Sequence, residues 1–104
     1  MQPEPLEQVV TTQVIAAITA LDRRFARQEM TMETSLVDDL SMDSFRFVEL
    51  AFAIESAVGL TEFPVQEWVD AESARTSKRF TVASLVMVCV DCLRREVTPV
   101  SARP

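Results

Sequence analysis

One glycine, Gly59, stands in a chain of 104 residues, where average usage is about 7%. Tight hairpins depend on positions of positive φ, and glycine is the least strained occupant of them. A chain nearly without it is steered toward helices joined by ordinary loops. The spacing of apolar residues points the same way. Leu6, Val10, Val14, Ala17, Ile18, Leu21 and Phe25 recur at steps of three and four, which predicts a first helix over about 6–25. Asp22, Arg23, Arg24 and Arg27 then break the pattern. Phe47, Leu50, Ala51, Ile54 and Val58 form a second such stripe over about 44–58, with Gly59 placed to end that helix in a left-handed conformation. The expected fold is all-α, in a single domain with its core over about 6–95.

The remaining segments are less regular. Residues 1–5 form a polar lead-in with two prolines. No period holds over 28–43, a long loop expected to be anchored in the core by Leu36, Val37 and Leu40. Phe63-Pro64 reads as a turn, followed by a short helix over about 65–71 that sets Trp68 against the core, and then a polar linker over 72–79. In 81–95 two signals conflict. Val82, Leu85, Val86, Cys89 and Leu93 have helical spacing, yet the β-branched Val82, Val86, Val88 and Val90 suit a buried strand. Segment length, the scarcity of glycine and the lack of a partner strand decide for helix, with Arg94 and Arg95 at the negative end of its dipole. The tail, 96–104, carries two prolines and is expected to be disordered.

Sixteen acidic against ten basic residues give a net charge of −6. Repulsion from phosphates argues against a nucleic-acid partner or an anionic membrane surface, and basic protein surfaces are the natural counterpart. Residues 1–10 carry no positive charge, and the longest stretch without a polar side chain, 85–90, is far short of the roughly 20 residues needed to span a bilayer. A cytoplasmic protein is expected, with Cys89 and Cys92 in a reducing compartment. Those cysteines form a CxxC string, but there is no histidine and no second cysteine pair to complete a zinc site. At i and i+3 of the last helix they are expected to fill core space. The absent histidine also removes any Ser-His-Asp arrangement, and no phosphate loop or nucleophile elbow is present. No catalytic residue and no metal site is expected, and the chain is not expected to be an enzyme.

The most informative segment is 35–59, SLVDDLSMDSFRFVELAFAIESAVG. It puts Ser44 directly after an acidic loop and at the start of a strongly apolar helix. There the side chain is half exposed, and the positive end of the helix dipole favours an attached phosphate. Asp38, Asp39, Leu40, Asp43 and Ser44, followed by Val48, Glu49 and Leu50, resemble the phosphopantetheine-attachment motif of acyl carrier proteins. The chain departs from that pattern at Ser41, where glycine is usual, and at Phe45, where leucine is usual.

The resemblance implies a four-helix bundle with a long loop between helices 1 and 2 and a short third helix. It implies 4'-phosphopantetheine joined covalently to Ser44, with Asp43 as the flanking motif residue. The chain would then carry acyl groups as thioesters without being a catalyst. Its partners would be a phosphopantetheinyl transferase and the enzymes that load, condense or modify the acyl group, and it is expected to act as a monomer. Peptidyl carriers often show His-Ser where this chain has Asp43-Ser44, so it is more similar to carriers of fatty-acid or polyketide type. Housekeeping fatty-acid carriers have a strongly acidic second helix. Here Arg46 sits one turn in, Ser56 and Ala57 stand where acids are common, and only Glu49 and Glu55 remain. A specialised polyketide or hybrid pathway is therefore expected.

The second helix also carries an additional apolar stripe, Phe45, Val48 and Phe52. Either neighbouring helices bury it, or it meets a partner or the bound acyl chain. Phe45, Val48, Glu49 and Phe52 are the candidate partner-binding residues. The alternative function is an unmodified helical interaction domain that has kept the carrier fold.

Overall fold

A computed structural model describes residues 5–76 and 78–97. Five helices follow in order: α1, Pro5–Leu21; α2, Arg23–Ala26; α3, Ser44–Ile54; α4, Val65–Ser73; and α5, Val82–Val97. No strand occurs among the described residues, apart from an isolated antiparallel bridge between Ser35 and Thr81. α2 is a single turn, so the four longer helices make the bundle. α1 packs against both α3 and α5.

The first helix ends four residues before the apolar periodicity does. Asp22 is extended (φ −158°, ψ 139°), and its carboxylate accepts from the Arg24 amide at 2.8 Å, capping α2 as a new start. An aspartate competes with helix continuation through this local bond. Phe25 is still buried, because the short turn of α2 returns it to the face built by Val10, Val14, Ala17 and Ile18.

α3 begins as expected, but after Ile54 its last turn widens into a π-turn, Glu55–Gly59, in which Leu60 N–H reaches Glu55 O at 3.1 Å. Gly59 ends it at φ +88°. Glu55 is drawn into the structure here, its carboxylate accepting from the Phe63 amide at 2.9 Å.

The loop over 28–43 is held by backbone rather than by apolar side chains alone. Leu36 N–H donates to Phe80 O (2.7 Å), Val82 N–H to Thr34 O (3.0 Å), and Ala83 N–H to Met32 O (2.9 Å), which staples the loop to the start of α5. Buried Ser35 adds an Oγ–H bond to Arg79 O at 2.8 Å. Leu36 and Leu40 are buried as expected, together with Met42, whereas Val37 is exposed. Val37 lies in the turn whose carbonyl receives Ser41 N–H, which leaves its side chain outside.

α4 is two residues longer than expected, and the supposed linker starts inside it. Glu72 is only 5% exposed. Its carboxylate accepts from Phe80 N–H (2.6 Å) and from Ser84 Oγ–H (2.8 Å), while Ser84 Oγ in turn accepts from Trp68 Nε1–H (3.0 Å). No buried side-chain nitrogen or oxygen among the described residues is left without a hydrogen-bond partner. Trp68 is buried as expected.

α5 is a helix despite its β-branched residues, and Val82, Leu85, Val86, Cys89, Val90 and Cys92 form its buried side. It runs two residues beyond the expected end, and Glu96 receives Thr61 N–H at 3.2 Å. The rest of the expected disordered tail, 98–104, lies outside the described residues, as do residues 1–4 of the lead-in.

Candidate functional site at the start of α3

The turn before α3 places Ser44. Ser41 adopts φ +58°, the left-handed region in which a glycine would be unstrained. The turn is closed by Ser41 N–H to Val37 O (3.0 Å) and Met42 N–H to Leu36 O (2.9 Å), and buried Met42 anchors it from below. Asp43 is then extended (φ −108°, ψ −176°) and caps α3, its Oδ1 accepting from Arg46 N–H at 3.0 Å.

Ser44 is the first helical residue and is exposed. Its hydroxyl has no hydrogen-bond partner among the described residues, so the cap is supplied wholly by Asp43 and the serine oxygen is not needed by the fold. Asp43 and Ser44 therefore stand together with separate roles, one structural and one available for chemistry.

Beyond Ser44 the helix presents two different sides. Phe47, Leu50, Ala51 and Ile54 turn inward. Phe45, Val48 and Phe52 are 70%, 50% and 67% exposed, an apolar stripe along the outer side of α3 that no described helix covers. Scattered exposed apolar residues are ordinary, but three large ones sharing a helix stripe next to a free serine form a contiguous surface.

The charges expected beside this stripe are engaged within the chain. Arg46 turns back to the end of α1. Its Nη1 donates to Leu21 O (3.2 Å) and Glu49 Oε1 (2.9 Å), and its Nη2 to Asp22 Oδ2 (3.1 Å). Glu49 is thus paired, and Glu55 is bound to the Phe63 amide. The sequence has no local signal for the Arg46–Asp22 pair, because Asp22 lies in the break between α1 and α2, far along the chain from Arg46 in α3. The i, i+3 spacing of Arg46 and Glu49 could have announced the other half.

Away from this face, both cysteines are buried free thiols. Burial, with a smaller effect of neighbouring Cys92, pushes the Cys89 thiol up to about 12. No group of three or more possible metal ligands occurs among the described residues, and no described helix is long and apolar enough to cross a membrane.

A helical bundle that offers one uncommitted serine at a capped helix start, beside an exposed apolar stripe, has the form of a carrier domain. Comparison with known proteins gives this form a family. The chain is 31% identical over 74 residues to the acyl carrier protein AcpXL of Brucella melitensis, covering 68% of this chain and 78% of that one. The Brucella suis AcpXL shows the same figures. The Rhizobium etli AcpXL is 30% identical over 74 residues, 68% of this chain and 79% of its own. No protein-family model matches the chain, and no solved structure matches it significantly. The chain belongs to the acyl carrier protein family, whose members are carriers and not enzymes.

Proposed function

We propose that the chain carries acyl intermediates of a biosynthetic pathway on 4'-phosphopantetheine attached to Ser44. When bound, that group supplies a flexible arm whose terminal thiol holds acyl groups as thioesters. The observation that carries this reading is the exposed, unbonded hydroxyl of Ser44 at the first position of an eleven-residue helix already capped by Asp43. The residues present fit the group. The Ser44 oxygen is accessible, its loss would remove no fold contact, and the dipole of α3 favours a phosphodiester at that end.

The chain's own residues then do three things. The Ser41 turn and the Asp43 cap fix where the Ser44 oxygen stands. Arg46, held by Asp22, Leu21 O and Glu49, locks the first turn of α3 to the end of α1. Phe45, Val48 and Phe52, flanked by Glu49, offer the transferase and the loading, condensing or modifying enzymes an apolar docking surface. With Arg46, Glu49 and Glu55 all occupied internally, charge has a smaller part in that docking. This favours dedicated partners, as in a specialised polyketide or hybrid pathway, over the general charge-guided set. The chain is taken to work as a cytoplasmic monomer. Incubation with coenzyme A and a promiscuous phosphopantetheinyl transferase tests the reading, with Ser44→Ala as the control. An unmodified wild-type chain would leave only a helical interaction domain.

A further inference from the structure

A long acyl chain tethered at Ser44 gains free energy by leaving water, so where it can go depends on the space beside α3. The interior next to Ser44 is occupied. Phe47, one turn along the same side of the helix, stacks on Phe80 (ring centroids 5.3 Å, 27° between planes) and meets the edge of Trp68 at 5.5 Å. Trp68 and Phe80 meet edge-to-face at 5.3 Å. The three rings form a closed triangle between α3, α4 and the start of α5, and Phe63 backs Trp68 at 6.0 Å.

The triangle is also fastened. Glu72 accepts from the Phe80 amide directly and holds Trp68 through Ser84. Swinging the Trp68 ring aside to admit a chain would strand its Nε1–H without the Ser84 acceptor, and interiors rarely leave such groups unpaired. The bond from the Phe80 amide to Glu72 fixes the backbone that carries the third ring. Phe80 itself sits at φ +58°, a backbone conformation that few side chains adopt. Phe47 has no polar fastening and is the half-buried member, the one nearest Ser44 along the chain.

We infer that an acyl chain carried on Ser44 stays outside the bundle, shut out by the Phe47–Trp68–Phe80 triangle that Glu72 holds closed. This rests on the reading of Ser44 as the attachment point. A partner enzyme would then take the chain without first drawing it from the carrier's core, and Phe47 would be the residue that sets this behaviour.

The test loads the full chain with butyryl-, octanoyl- and palmitoyl-phosphopantetheine from the corresponding coenzyme A thioesters, using a promiscuous transferase. Intact mass confirms loading, then thermal midpoints and amide chemical shifts are compared. In the wild type the midpoint should not climb with chain length, and the shifts of Phe47, Trp68 and Phe80 should match between butyryl and palmitoyl forms. In Phe47→Ala a length-dependent rise should emerge, with shift changes reaching Trp68; Phe47→Leu serves where the alanine variant does not fold. A wild-type midpoint that climbs by more than about 4 °C from butyryl to palmitoyl, with core shifts moving, would overturn the inference while leaving Ser44 as the attachment site. No length dependence in either Phe47 variant would remove Phe47 from its role. Failure of any loading would overturn the reading of Ser44, and this inference with it.

Discussion

Arg46 reaches from the first turn of α3 to Asp22, the residue that interrupts the first helix, with Nη2 3.1 Å from Oδ2. One carboxylate thereby caps α2 and anchors the helix that bears Ser44. Arg46→Ala should lower stability by about 1–2 kcal/mol, the range of a partly exposed charged hydrogen-bond cluster, as measured by urea denaturation. Arg46→Lys should recover only part of it, since an ammonium lacks the planar fork that serves Leu21 O, Glu49 and Asp22 together.

The same aspartate gives a pH dependence. The Arg24 amide, then the Arg24 guanidinium, hold the Asp22 carboxyl below its ordinary value of 3.8, with Arg46 adding to the effect. A lowered carboxylate stabilises the fold above its unfolded pKa, and that contribution is lost as pH falls through the folded one. The thermal midpoint should therefore fall more steeply below about pH 4 in the wild type than in Asp22→Asn. Parallel curves for the two proteins would contradict the assignment.

Ser41 is expected to be a strained stand-in for glycine. A side chain at φ +58° costs about 1–2 kcal/mol, partly offset by the roughly 0.5–1 kcal/mol of extra chain entropy that glycine loses on folding. Ser41→Gly should raise stability by up to about 1 kcal/mol in a denaturant titration. A loss would mean that the serine makes a compensating contribution.

These features divide what could be seen in the chain from what could not. The α1 and α3 stripes are regular enough for periodicity to place both helices, and the serine–aspartate pair marks the site because cap chemistry is local. Asp22 and the arginines after it mark the end of the pattern, but the helix bound falls late because apolar spacing continues to Phe25, and spacing does not register a turn of the backbone. Glu72 was hidden for a related reason. It opens the polar string ESARTSKR, which reads as solvated, and only its i+4 relation to Trp68 hints that it faces inward. Its partners, Phe80 and Ser84, come from another part of the chain. The exposure of Phe45, Val48 and Phe52 could not be settled by sequence, since an apolar stripe looks the same whether or not a neighbour covers it.

Glu72 should behave as a buried acceptor whose removal is costly. Glu72→Leu leaves the Phe80 amide and the Ser84 hydroxyl without their acceptor, and should cost about 2–4 kcal/mol. Glu72→Gln retains an oxygen for the Phe80 amide and should cost less. Trp68, the single tryptophan, reports locally, so its emission should shift in the leucine variant before global unfolding.

Cys89 supplies the opposite pH trend. With the folded thiol raised from 9.0 to about 12, unfolding exposes a group that ionises sooner. Stability is unaffected below pH 9, then falls as pH rises from about 9 toward 12. Cys89→Ala should be less stable at neutral pH, because it leaves a cavity, but should flatten this alkaline decline. In the native protein a thiol reagent should react slowly, and quickly after denaturation.

Docking through an apolar stripe predicts weak salt dependence. Screening shortens the Debye length from about 10 Å at 0.1 M to about 3 Å at 1 M, which weakens charge-guided association and leaves apolar contact nearly unchanged. Phe45→Ala should impair transfer kinetics with a partner enzyme more than Glu49→Ala does. A steep salt dependence with a dominant Glu49 effect would restore docking by charge.

On the proposed function, the Ser44 oxygen is where phosphopantetheine is attached. Intact mass spectrometry of the full chain, after incubation with coenzyme A and a phosphopantetheinyl transferase, measures it directly. The wild type should gain the mass of one phosphopantetheine, and Ser44→Ala, with its fold intact, should gain nothing. A wild-type chain that stays unmodified, or an alanine variant that still takes the full addition, would contradict the account.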